Sequence, residues 1–248
     1  MTALTSYPVW DRTTRWFHWI NVLCILALTA LGLVLMNDDA LEIGLAGKII
    51  LKQLHVSIGY LFVLNLLWRL VWAFMGNRYA RWGAVLPFGA GYMQRLRAFL
   101  DSLRAGSPQP YAGHNPVAQL VILAMLLAML AQATTGLVLA GTDLFWLPLG
   151  GWFASWVAAP GVDPATLVAS SRDGMDQAAW TAMRAFRSNF RELHEISFYT
   201  LIVLIGVHLV GVVVGELREG SALVSAMFTG RKVHDRPPVD LAEDGDRN

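Results

Sequence analysis

Four stretches of the chain are each roughly 20 or more residues of almost unbroken apolar character, the length that crosses the hydrocarbon core of a bilayer. They run over about Trp16–Met36, Leu54–Met75, Val117–Ala140 and His194–Gly215. Inside lipid every backbone N–H and C=O must be satisfied internally, so such a stretch is a helix or a strand of a closed barrel. These runs are too continuous for the alternating pattern of barrel strands. The expected fold class is therefore an all-α membrane protein, a bundle of four transmembrane helices. Composition agrees: 55% of the residues are hydrophobic and 15% charged, where a soluble domain carries about 25% charged residues.

The net charge of +1 and the lack of a basic stripe with interleaved aromatics give nucleic acid no footprint. The single cysteine, Cys24, rules out an intrachain disulfide, a cysteine-ligated cluster and a Cys-x-x-Cys-His haem attachment. It reads as a small packing residue. The first apolar block is too long for a signal peptide and lacks a convincing cleavage site, so it is expected to persist in the mature chain.

Flanking Lys and Arg set the expected orientation. Arg12 and Arg15 precede span one; Arg78, Arg81, Arg95, Arg97 and Arg104 lie between spans two and three; Arg218, Arg231, Lys232 and Arg236 follow span four. Both termini are thus expected in the cytoplasm, with the connection of about 141–191 on the outer side. "GYMQRLRAFLDSLRAG" has the spacing of an amphipathic surface helix, and "LFWLPLGGWFASWVAAPG" has the tryptophans of an interfacial segment. "DQAAWTAMRAFRSNFRELHE" reads as a helix leading into span four. Interfacial or periplasmic helices are therefore expected in the third connection. Residues 1–236 form the expected membrane domain, and 237–248 an acidic, disordered tail.

Of six histidines, four lie in spans. Ionisable residues inside a membrane are costly and usually functional. His194 and His208 are fourteen places apart, which on a helix is about 21 Å and nearly four whole turns, so they share one face at two depths. With alternating span directions, His18 falls at the depth of His208, and His55 at the depth of His194. Imidazoles paired from facing helices are what a six-coordinate b-type haem requires. Two such haems, with irons on the order of 20 Å apart by the helical rise, would make a transmembrane electron wire. A proton relay or a transition-metal path could use the same histidines, but neither needs two depth-matched pairs. His114 and His234 lie outside the spans and are read as non-ligands. Met125 and Met129 read as packing rather than axial ligands, and Trp10, Trp16 and Trp82 as interfacial anchors.

Arg15, Lys52 and Arg191 each stand three places before one of these histidines and share its helix face. Arg69 stands fourteen places after His55. Such cations can pair with haem propionates or snorkel to lipid headgroups.

"VWDRTTRWFHWI", "LHVSIGYLFVLNLLWRLVWAFMGNRYARW", "GHNPVAQ" and "LREGSALVSAMFTGRK" resemble the bacterial cytochrome b561 and nickel–iron hydrogenase b-type cytochrome superfamily, over all four spans. The resemblance implies a cytochrome b with two haem b groups on the first, second and fourth spans, in the places filled by His18, His55, His194 and His208. It implies electron transfer between membrane quinone and a periplasmic redox protein, in the bacterial inner membrane, with no catalytic side chain of its own. "MGNRYAR" and "GHNPVAQ" look like hydrogenase cytochrome subunits, whose partner is the hydrogenase small subunit. "VWDRTTRWFHW" and "LVSAMFTGRK" look like chains that work with a c-type cytochrome. Docking is expected on the outer connection, around Trp152–Gly161, and a homo-oligomer is compatible with all of this. Formate dehydrogenase cytochrome subunits have an asparagine at a point similar to Asn115, which implies a quinone contact there; the competing reading is an Asn-Pro helix cap. Two other functions stay open: a stand-alone oxidoreductase such as superoxide:quinone, and a haem-free transporter or metal carrier.

Overall fold

The computed structural model describes residues 4–219 and 222–241. In chain order the elements are β1 (Thr5–Pro8), α1 (Arg12–Met36), α2 (Leu45–Met75), α3 (Trp82–Val85), α4 (Tyr92–Arg104), α5 (Pro116–Leu144), α6 (Gly150–Val157), a 3₁₀ turn at Pro164–Thr166, α7 (Gln177–Glu219), α8 (Leu223–Thr229) and β2 (Arg231–His234). Four of them, α1, α2, α5 and α7, are long and apolar enough to cross a membrane. Between 6% and 22% of each apolar window is buried inside the protein. Leucines such as Leu23, Leu26 and Leu64 stay exposed, which lipid tolerates because it is as apolar as leucine.

Capping fixes where these helices begin. Asp11 Oδ1 accepts the Thr14 N–H at 2.7 Å at the head of α1, and Asn115 Oδ1 accepts the Ala118 N–H at 2.8 Å ahead of Pro116 at the head of α5. Asp176 does the same for α7 through the Ala179 N–H, at 2.8 Å. Each satisfies one of the donors a helix start leaves open. With 43 residues, α7 is about 65 Å long, far more than a bilayer core of about 30 Å. The span read as His194–Gly215 is thus one part of a continuous helix, and the leading segment Gln177–Leu193 belongs to the same helix.

The chain divides into two compact units. The first takes the described residues of Met1–Ile20, Leu67–Leu127 and Ile202–Asn248. Here β1 and β2 pair antiparallel, Thr5 opposite His234 and Pro8 opposite Arg231. Below the ladder lies a core of Val9, Trp10, Tyr79, Ala112 and Ala226. Gly230 closes it with φ +80°, and a Cβ there would stand 2.6 Å from the Trp10 carbonyl oxygen, so only glycine fits. Asp240 accepts the N–H groups of Ala112 and Gly113 at 2.6 and 2.7 Å. Residues 237–241, which composition assigns to a disordered tail, are therefore tied to this core by a carboxylate reading two adjacent amides; 242–248 lie outside the described residues. The amphipathic segment of the second connection forms α4, with Tyr92 and Phe99 buried.

The second unit comprises Asn21–Leu66 and Ala128–Leu201. The expected helices of the third connection are α6 and the leading part of α7. Phe153 and Val157 pack on Met183 at the centre of an aromatic cluster that includes Trp156, Trp180 and Phe186.

Candidate functional site

The four span histidines separate between the units. His55 on α2 and His194 on α7 belong to the second, with ring centroids 6.4 Å apart and ring planes at 68°. His18 on α1 and His208 on α7 belong to the first and lie within electrostatic reach of each other.

His194 is held from behind. Its Nδ1 is 2.8 Å from Thr135 Oγ1 on α5. One turn away Gln132 Nε2 donates to the His194 carbonyl at 2.7 Å and to Ser197 Oγ at 3.0 Å. Gly136 faces the ring: a Cβ there would lie 3.4 Å from His194 Cε1. Gly32 on α1 faces His55 in the same way, at 3.5 Å. The Nδ1 atoms of His18 and His55 are covered and have no hydrogen-bond partner among the described residues. A buried polar atom without a partner costs free energy, and among the described residues nothing offsets that cost at these two rings.

The cations have diverse surroundings. Lys52 Nζ pairs with Asp143 Oδ2 at 3.1 Å, and Arg187 grips the same carboxylate with both Nε and Nη2. Arg191 is exposed and pairs with Glu195 at 2.9 Å. Arg15 donates through Nη1 to the Phe228 carbonyl, while its Nε is covered and has no partner among the described residues. Arg69 sits over the Phe17 ring, 5.9 Å from its centroid, with Nη1 covered and without a partner among the described residues. Asn115 spends its side-chain oxygen on the α5 cap. The His114 and Trp10 rings lie tilted at 39° with centroids 4.7 Å apart; His114 Nδ1 is covered and has no partner among the described residues, and burial with Lys232, Arg69 and His208 nearby holds its pKa down to about 3. His234 is 2% exposed in β2.

Sequence reasoning missed Gln132, Thr135, Gly136 and Asp143. The first three did leave a trace, being polar or small residues at positions i, i+3 and i+4 of an apolar helix, hence on one face. Among the described residues no group of three or more His, Cys, Asp or Glu side chains could hold a metal ion.

A family model described as prokaryotic cytochrome b561 matches residues 9–230. A protein of Rhizobium leguminosarum bv. viciae named "Probable Ni/Fe-hydrogenase B-type cytochrome subunit" is 26% identical over 245 residues, covering 92% of this chain and 89% of the relative. The "Probable Ni/Fe-hydrogenase 1 B-type cytochrome subunit" of Escherichia coli (strain K12) is 32% identical over 149 residues, 55% of this chain and 61% of that one. A Cupriavidus necator protein with the same name as the Rhizobium one is 24% identical over 239 residues, covering 92% of this chain and 87% of its own length. No solved structure matches the chain. A match across nearly its whole length, on four membrane-length helices, places this chain in the prokaryotic cytochrome b561 family, the multi-pass inner-membrane cytochromes b that carry electrons.

Proposed function

We propose that this chain is the membrane subunit of a respiratory complex and conducts electrons between a periplasmic redox partner and the quinone pool through two haem b groups. His55 and His194 hold one, His18 and His208 the other. The observation that carries the reading is the 6.4 Å between the His55 and His194 ring centroids. A metal about 2 Å from an imidazole nitrogen lies roughly 3 Å from that ring's centroid, so a metal shared by two opposed imidazoles sets their centroids about 6 Å apart. Gly32 and Gly136 keep side chains away from the two ring edges, which leaves space for a flat macrocycle. Haem b, when bound, supplies a reversible one-electron iron couple whose potential the protein tunes.

The chain's own residues ligate and bury the two centres. Arg69 and Arg15 bring covered N–H groups without a partner among the described residues to the His18 and His208 unit, where an anionic propionate would satisfy them. In the other unit Lys52 and Arg191 already hold carboxylates, so their pull on a propionate is shared. Both termini face the cytoplasm by the positive-inside pattern, which makes His55 and His194 the outer pair. The quinone then works beside the inner pair, with the Asn115 amide as a donor. The relatives' names support a nickel–iron hydrogenase as the partner, and the exposed Trp152 offers it a contact at the head of the segment Trp152–Gly161.

The test is a haem count on the purified protein by pyridine haemochrome. Two b-type haems per chain support the reading. A folded protein that takes up no haem when iron and haem are plentiful ends it and returns the histidines to a transporter or metal carrier. Partner-independent reduction of quinone by superoxide would favour the stand-alone oxidoreductase.

A further inference from the structure

We infer that Thr135 is the positioning residue of His194: its hydroxyl fixes the imidazole as the Nδ1–H tautomer and makes it the more electron-donating ligand of its pair. This rests on the reading of His55 and His194 as haem ligands.

The argument follows the protons. Thr135 Oγ1 has one hydrogen, and the Ala131 carbonyl one turn back accepts it at 2.6 Å. The contact of 2.8 Å to His194 Nδ1 then needs its hydrogen from the imidazole, and the hydroxyl accepts. With the proton on Nδ1, the free lone pair is on Nε2. The competing arrangement, a hydroxyl donating to Nδ1, puts the proton on Nε2 and removes that atom as a ligand. Thr135 is 6% exposed, so water does not compete for the bond. Gln132 pins the His194 backbone to the same stretch of α5, so the contact is held from two sides. His55 has no such support, since its Nδ1 is covered and without a partner among the described residues. An imidazole that donates its second N–H becomes more basic, favours the ferric over the ferrous state and lowers the potential of the iron it binds.

The experiment compares wild type, Thr135→Val and Thr135→Ser in the full chain. Redox titration with optical spectra reads the two haems, and electron paramagnetic resonance reads the ferric ligand field. In parallel, ¹⁵N shifts of the histidine rings in haem-free protein report the tautomer directly. Thr135→Val should raise the potential of one haem, leave the other in place, shift one set of low-spin g values and release the Nδ1–H tautomer; Thr135→Ser should restore all of these. Selective loss of one haem in Thr135→Val, rescued by serine, supports the same role. Unchanged potentials with both haems retained, or equal haem loss in both variants, overturns it, as does a His194 protonated at Nε2 in wild type. Wild type that shows the Nδ1–H tautomer but never binds haem retains the positioning role and instead refutes the function proposed above.

Discussion

Asp143 receives Arg187 through both carboxylate oxygens, across the gap between the end of α5 and the early part of α7. Lys52 from α2 shares Oδ2 at 3.1 Å, and Arg184 stands 4.0 Å away. Asp143 and Arg187 side chains are only 11% and 12% exposed. Removing one partner of such a pair leaves an uncompensated buried charge, which costs about 3–5 kcal/mol. Asp143→Asn should therefore lower the thermal midpoint of the detergent-solubilised protein sharply. Lys52→Ala, at 42% side-chain exposure, should cost under about 1 kcal/mol. Equal effects of the two would show that the carboxylate is not the anchor.

His208→Ala should remove the haem of the His18 pair and leave at least part of the one held by His55 and His194. The reverse should hold for His55→Ala. The readout is haem per chain with the α-band position in reduced spectra. Full haem content in His208→Ala would refute the pairing.

These assignments were legible in the sequence to different degrees, for physical reasons. The spans were plain because bilayer thickness imposes a length; the proposed histidine pairs rest on helical rise and alternating span direction, which convert position into depth, and the structure sets the His55 and His194 rings 6.4 Å apart. The Asn-Pro cap of α5 is a local signal, and Asn115 makes that bond. The β1–β2 ladder could not be read, because it joins Thr5–Pro8 to Arg231–His234 and neither segment has a strand pattern of its own. Asp240 was hidden by composition: a tail rich in proline and acid looks disordered until two backbone amides accommodate one carboxylate. Thr135 was overlooked because a hydroxyl in an apolar helix commonly serves its own i−4 carbonyl, and Thr135 does that as well.

Gly136→Val should empty the site of His194 selectively. A Cβ alone would lie at contact distance, 3.4 Å from Cε1, so Gly136→Ala should be mild. Valine adds two methyl groups beyond that point, and overpacking of this kind costs about 1–3 kcal/mol or displaces the ring. About half the haem should be lost with valine and little with alanine, measured on protein of equal monodispersity. Retention of both haems in Gly136→Val would mean that no macrocycle lies beside this face of α5.

Acid should weaken the first unit through His114, a residue outside the spans. Burial is the largest cause that holds it down to about 3, and Lys232, Arg69 and His208 reinforce it. The folded value lies below the ordinary 6.5, so the unfolded chain binds the extra proton between these limits and stability rises with pH across that window. The contribution is complete above about pH 6.5 and is lost as the pH falls towards 3. At pH 5 the penalty reaches about 2 kcal/mol, since one pK unit corresponds to about 1.4 kcal/mol. His114→Phe keeps a ring against Trp10 and removes the titration. Comparing thermal midpoints at pH 5 and pH 8, the wild type should lose more stability on acidification than His114→Phe does. His234, whose value burial and Lys232 also lower, should leave a residual acid sensitivity in the variant. Identical pH profiles for the two proteins would show that His114 takes up its proton without cost, and so that its Nδ1 has a partner in the working protein.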